Sequence, residues 1–230
     1  FALEYKDGKI VLNISDTRDS ESSVWTGDKG SVWDLMSTEN FSSSDKLFVT
    51  GDELTFNDDA STTDVNLAED VTPGNIFFKN NKKDYSLAGN GSILGEGSLN
   101  VEGTGTVNIK NTNKYSGGTN VKGGILAPAT LANKDGLEFG SLGSADNTIT
   151  LSNKGTLKVA SGMTASHPIV LGENGGTINN TGTLILNGGI IRSNGGKNRD
   201  LYKTGTGTLQ LNCDADFDVL YINQGTVYDL

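Results

Sequence analysis

The sequence predicts an all-β chain folded as a right-handed parallel β-helix, and three observations lead there. Apolar segments are only two to five residues long and alternate with period two, as in Leu99-x-Val101, Leu157-x-Val159, Leu184-x-Leu186 and Leu209-x-Leu211. Such alternation turns one side chain inward and the next outward along a strand. Between these segments lie many of the 31 glycines, with only 3 prolines in the whole 230 residues. Glycine costs about 1 kcal/mol relative to alanine inside a helix, so helices are excluded, while sharp corners are favoured. Finally, the pattern returns. Gly103-Thr104-Gly105-Thr106-Val107-Asn108-Ile109 reappears as Gly205-Thr206-Gly207-Thr208-Leu209-Gln210-Leu211, and Gly124 and Gly225 follow the two copies at nearly the same offset. Strands this short bury too little alone, so stacking repeat on repeat is the arrangement that gives them a continuous core.

Taken in order, residues 1–98 read as an irregular N-terminal β region. Lys9–Ile14, Lys46–Val49, Glu53–Phe56, Asp64–Leu67 and Asn75–Phe78 have strand character but uneven spacing. Two architectures fit them: atypical coils with a hairpin or small antiparallel extension, or a small β-sandwich of their own. Residues 99–230 form the regular repeat region. Gly-Thr/Ile-apolar pieces begin at Gly105, Gly124, Gly155, Gly176, Gly207 and Gly225, with gaps of 19, 31, 21, 31 and 18 residues. The short gaps predict one coil each. The long gaps, Gly124 to Gly155 and Gly176 to Gly207, predict coils carrying protruding loops, with Gly182–Leu186 as an extra strand inside the second. At roughly 20 residues per coil the chain predicts ten or eleven coils and a rod on the order of 50 Å.

Charge and composition narrow the function. With 28 acidic against 18 basic residues the formal charge is −10, a field that repels phosphate backbones, so nucleic acid is not an expected partner. The single cysteine, Cys213, allows no disulfide within the chain. No run of 18 apolar residues offers a spanning helix, and Phe1 opens no basic-then-apolar leader, so the chain reads as a mature or excised segment of something longer.

At Asn113-Lys114-Tyr115-Ser116-Gly117-Gly118-Thr119, set between Gly103–Ile109 and Val121–Leu126, the sequence resembles the autotransporter-associated β-helix repeat, GxGTLxLxxxNxYxGGTxVxxGxL. Ser141-Leu142-Gly143, Gly175–Ile178 and Lys203–Leu209 are similar to further parts of it. Val24-Trp25-Thr26-Gly27, with Ser31–Asp34 and Asn40-Phe41, looks like the WTG…W…NW opening that precedes such repeats. The second copy departs from the pattern, having Asn212–Phe217 where NxYxGGT belongs. The resemblance implies a passenger domain of a type V secreted surface protein of a Gram-negative bacterium. It implies a C-terminal membrane β-barrel of the same precursor as partner, and a place outside the cell, anchored at the outer membrane or released. The expected role is a non-catalytic surface stalk and adhesion module, with host protein, glycan or self-association as contacts. The alternatives are a scaffold driving folding and secretion with no ligand of its own, and a polysaccharide-active β-helix enzyme.

Candidate chemistry is sparse, and no catalytic, cofactor-binding or metal-ligating residue is assigned. The only histidine, His167, precedes Pro168 and no serine elbow accompanies it, so it reads as a surface or corner residue. One histidine and one cysteine cannot build a zinc cage, and the acidic stretches Asp16–Glu21 and Asn57–Asp59 lack EF-hand spacing. Glycan cleavage needs carboxylates clustered with basic residues on one face, yet arginine occurs only at Arg18, Arg192 and Arg199. Trp25 and Trp33 read as caps of a core, with sugar stacking as the other use of such rings. Tyr115, Tyr202, Tyr221 and Tyr228 are expected at corners or ladder edges, and Cys213 as a small buried hydrophobe.

Overall fold

The structure, a computed structural model, describes residues 2–13, 18–160 and 162–229. Short alternating strands with nothing to pair locally find their partners one coil away. Of the twenty strand pairings among the described residues, only two are antiparallel. The rest build three parallel sheets that wrap a common core, a β-solenoid with no helix among the described residues. One sheet has nine strands, from Val32–Trp33 to Leu220–Ile222, and a second has eight, from Ser22–Val24 to Ile190–Arg192. The third has four, Met163–Ala165, Leu184–Leu186, Thr208–Leu211 and Thr226–Asp229, so it exists only in the later coils.

Register explains the core. On the nine-stranded sheet Tyr85, Val107, Leu126, Leu157 and Ile178 stand directly over one another, all pointing inward. On the eight-stranded sheet the matching column runs Leu54, Ile76, Leu99, Thr119, Ile149, Ile169, Ile190. Each such apolar residue is essentially fully buried, worth about 1.5–3 kcal/mol of transfer free energy.

Several sequence expectations need correction. Nine stacked strands make a rod of about 40 Å, shorter than ten or eleven coils would give. Three coils on the inward column exceed the assumed length, Leu54 to Ile76 at 22 residues, Ile76 to Leu99 at 23 and Thr119 to Ile149 at 30, while the other three are 20 or 21. Next, the Gly-Thr-apolar pieces do not share one face. Those at Gly105, Gly124, Gly155 and Gly176 lie on the nine-stranded sheet, while Gly207 and Gly225 lead into the third sheet, where Leu209 stands on Leu184 and under Val227. The second long gap is therefore an ordinary 25-residue coil, Thr177 to Tyr202, plus a change of face. Its exposed loop is modest, residues 193–198, whereas the first long gap carries a real insert over residues 129–148 with the hairpin Phe139–Gly140 to Gly143–Ser144.

Lys46–Val49, read as a strand, is not one. It belongs to a loop folded across the N-terminal end of the solenoid, where no earlier coil offers strand partners; Phe48 packs on Trp33 at 5.4 Å between ring centres. Residues 22–98 otherwise stack as coils, and the strand Ile76–Phe78 pairs directly with Leu99–Val101, so a separate sandwich does not form. The antiparallel extension is present as the hairpin of Ala2–Lys6 and Lys9–Asn13; Ile14 lies outside the described residues.

Candidate functional site

Most motif residues prove to hold the fold from inside. Asn113 accepts from the Ile93 N–H and donates to Ser141 O at 2.8 Å, tying three coils together. The Tyr115 hydroxyl meets Thr119 Oγ1 at 2.7 Å in the core. In the WTG-like opening, Asn40 accepts from Lys29 N–H and donates to Val32 O, and Trp25 Nε1 donates to Thr62 O. Trp25 and Trp33 are completely buried, packed with Phe41, Phe48 and Phe56, so neither offers a face to a sugar.

His167 is a corner residue but not a surface one. Its Nδ1–H donates to Asn147 O at 2.8 Å and its Nε2 accepts from Ala132 N–H at 3.2 Å, clamping both ends of the 129–148 insert. Burial pushes its pKa down, against the raising effect of the Asn147 bond. The ring is thus a neutral strut. Cys213 is half-buried against the core, and burial raises its thiol.

Charged groups are likewise engaged. The Asp58 carboxylate accepts the N–H groups of Asn81, Lys82 and Lys83, which ties the bend at 81–83 to the coil before it. Of the acidic run near residue 18, Asp16 and Thr17 lie outside the described residues. Arg18 holds the buried Asp52 by a bidentate pair at 2.8 and 2.7 Å. The other arginines do gather carboxylates from a neighbouring coil: Arg192 contacts Asp216 at 2.8 Å and Asp218 at 2.7 Å, and Arg199 contacts Asp218 at 3.2 Å. Hydrogen bonds from Arg192 and the Arg199 N–H hold Asp218 down at about 2, a permanent anion at neutral pH and not a proton donor. Among the described residues no group of three His, Cys, Asp or Glu side chains could hold a metal.

A concave site on the outer surface brings polar side chains together with two aromatic rings. On the outward row of the nine-stranded sheet, Thr156, Thr177, Tyr202 and Tyr221 occupy successive rungs. The two tyrosine rings stack with centres 4.9 Å apart and planes 9° apart. They line a groove of about 490 Å³ together with Asn153, Lys154, Asn174, Asn198 and Asp200. Lys154 Nζ sits 5.4 Å from the Tyr202 ring centre, the Tyr202 hydroxyl donates to Asp200 at 3.3 Å, and Asn174 donates to Asn153 at 2.9 Å.

The groove is also where the backbone is least relaxed. Asn153, Lys154, Asn174 and Asn198 have φ of 49°, 63°, 59° and 54°, four of the seven non-glycine residues with positive φ among those described. Asparagine tolerates this region; lysine does so poorly. Register places Lys154 where the next coil has Gly175, immediately before the paired Gly155 and Gly176. The sequence reading placed Tyr202 and Tyr221 at a ladder but did not join them to these residues. The available signal was the pair Asn153-Lys154-Gly155 and Asn174-Gly175-Gly176, in which a lysine replaces a glycine at a glycine-type corner.

Fold and groove together define the class: a parallel β-solenoid bearing one aromatic, amide-lined lateral groove. Comparison with family models, curated proteins and solved structures gives no match that would narrow it further.

Proposed function

We propose that this chain is a non-catalytic passenger segment of a bacterial autotransporter, serving as a surface stalk and adhesion module outside a Gram-negative cell. The observation that carries this reading is the unbroken stack of parallel rungs, nine on one sheet, whose recognition-capable residues face sideways. Stacking gives reach, because each rung adds about 4.8 Å and depends only on its neighbours. The repeat-like stretch Gly103–Leu126 supports the assignment to that class, and its Asn113, Tyr115 and Thr119 serve packing. The membrane β-barrel of the same precursor is the proposed anchor, and a host surface or another copy the proposed contact.

Asp218, held as an anion by Arg192 and Arg199, cannot serve as the proton-donating carboxyl that glycan hydrolysis requires, which favours the adhesive reading. Beads coated with the 230-residue chain should attach to host-cell monolayers or to one another, whereas uncoated beads should not. Absence of both, together with loss of surface display when residues 103–230 are deleted from the precursor, would leave the scaffold role instead.

A further inference from the structure

The geometry points to the groove walled by Tyr202 and Tyr221 as the binding site for a short neutral oligosaccharide lying along the solenoid axis. This deepens the adhesive reading above and rests on it. The groove spans four rungs, from the coil of Thr156 to that of Tyr221, so at about 4.8 Å per rung it extends for about 14 Å. That is more than one pyranose ring needs. Its volume of about 490 Å³ lies within the range of ordinary ligand sites.

The lining matches sugar chemistry. The two tyrosine rings cover part of each other's faces and Lys154 Nζ lies over Tyr202, so the ring edges and the exposed part of Tyr221 form the apolar wall offered to pyranose C–H groups. The same groove is lined by three asparagine amides, of which Asn174 donates to Asn153, and by the Asp200 carboxylate, which accepts the Tyr202 hydroxyl and keeps lone pairs for sugar hydroxyls. Charge favours a neutral ligand. Lys154 and Asp200 offset one another within the groove, and the chain as a whole carries −10.

Lys154 is the second, independent observation. A glycine would satisfy that left-handed corner at no steric cost, as Gly175 does one coil on. The lysine is held there at the expense of backbone strain, with its ammonium over the Tyr202 ring and at the rim of the groove. Strained non-glycine residues gather at sites where position matters more than stability.

The test uses the whole chain and immobilised hexasaccharides of glucose, mannose and N-acetylglucosamine, with a sulfated glycosaminoglycan hexasaccharide as the charged comparator. At least one neutral probe should bind. Tyr221→Ala should weaken it about tenfold, the equivalent of about 1.4 kcal/mol. Lys154→Gly should also weaken it, while its melting temperature stays within about 3 °C of the parent, because relieved strain offsets the lost ammonium–ring contact. Binding of the sulfated probe alone, of no probe, or of a neutral probe unaffected by both changes would overturn the inference. A larger fall in melting temperature for Lys154→Gly would make that lysine structural and remove its support. Bead attachment that persists in Tyr221→Ala would leave the adhesive reading standing and this groove outside it.

Discussion

His167 shows how much a single side chain can fix. Both ring nitrogens are bonded to backbone groups of the insert, Asn147 O and Ala132 N–H. Replacing it by alanine leaves a buried acceptor and a buried donor without partners, costing about 1–3 kcal/mol. Its folded pKa lies below the unfolded value of about 6.5, so the fold holds the neutral form. That contribution is complete above the unfolded pKa and is lost as pH falls through the folded one. Since this is the only histidine, a decline in melting temperature between pH 7 and 5 should belong to it and should flatten in His167→Gln. Asp52 acts in a lower window. Burial raises its pKa, but bonds from Arg18, Glu21 N–H and Val49 N–H outweigh that, and the net shift is downward. Its stabilisation is present above about pH 4 and is lost on further acidification. Arg18→Ala, which strands a buried carboxylate, should lower stability by about 3–5 kcal/mol in urea titrations at pH 7.

At the scale of one coil, corners decide what is tolerated. Asn80 plugs one corner, donating to Lys83 O and Thr106 O, and Asn180 plugs another, donating to Gly182 O and Thr208 O. At the next corner Lys203 does the same work, its buried ammonium donating to Thr204 O, Gly205 O and Gln224 O. The glycines that follow, Gly105 and Gly207, pass so close that a Cβ would strike these asparagine amides or, at Gly207, the Gly182 carbonyl. Gly207→Ala should therefore cost about 1–3 kcal/mol by differential scanning calorimetry. Gly162→Ala, which meets nothing closer than 3.5 Å, should change stability by less than about 0.5 kcal/mol. Gly105 and Gly207 were readable as corners in the sequence because each opens a Gly-Thr-apolar piece. The inward columns were readable too, since Leu99, Leu157 and Leu209 alternate with period two. The change of face between Gly176 and Gly207 was not, because Gly-Thr-Leu looks the same on any sheet, and only register says which strand lies beneath it. Nor was the groove legible as a unit: its corner residues lie about 20 residues apart, and only register shows that Tyr202 and Tyr221 stand beside them.

For the whole molecule, a stack of nearest-neighbour contacts predicts that stability varies along the axis. The two ends differ. At the N-terminal end, Trp25, Trp33, Phe41, Phe48 and Phe56 form one aromatic layer, with ring centres 5.3 to 6.2 Å apart, closed by the Arg18–Asp52 pair. In the last described rungs Ile222, Tyr221 and Tyr228 are exposed. Local opening is easiest where few apolar contacts must break, so the coils from Leu201 onward should open before the aromatic end. Both tryptophans of the chain lie in that end, which makes their fluorescence a local reporter, whereas far-ultraviolet circular dichroism averages over all rungs. In a urea titration the fluorescence midpoint should therefore lie above the dichroism midpoint. Trp33→Ala, which removes a fully buried ring at a cost of about 3–5 kcal/mol, should bring the two together by lowering the former. Coincident midpoints in the parent chain would mean that the solenoid unfolds as one cooperative unit, and that its aromatic end holds no separate reserve of stability.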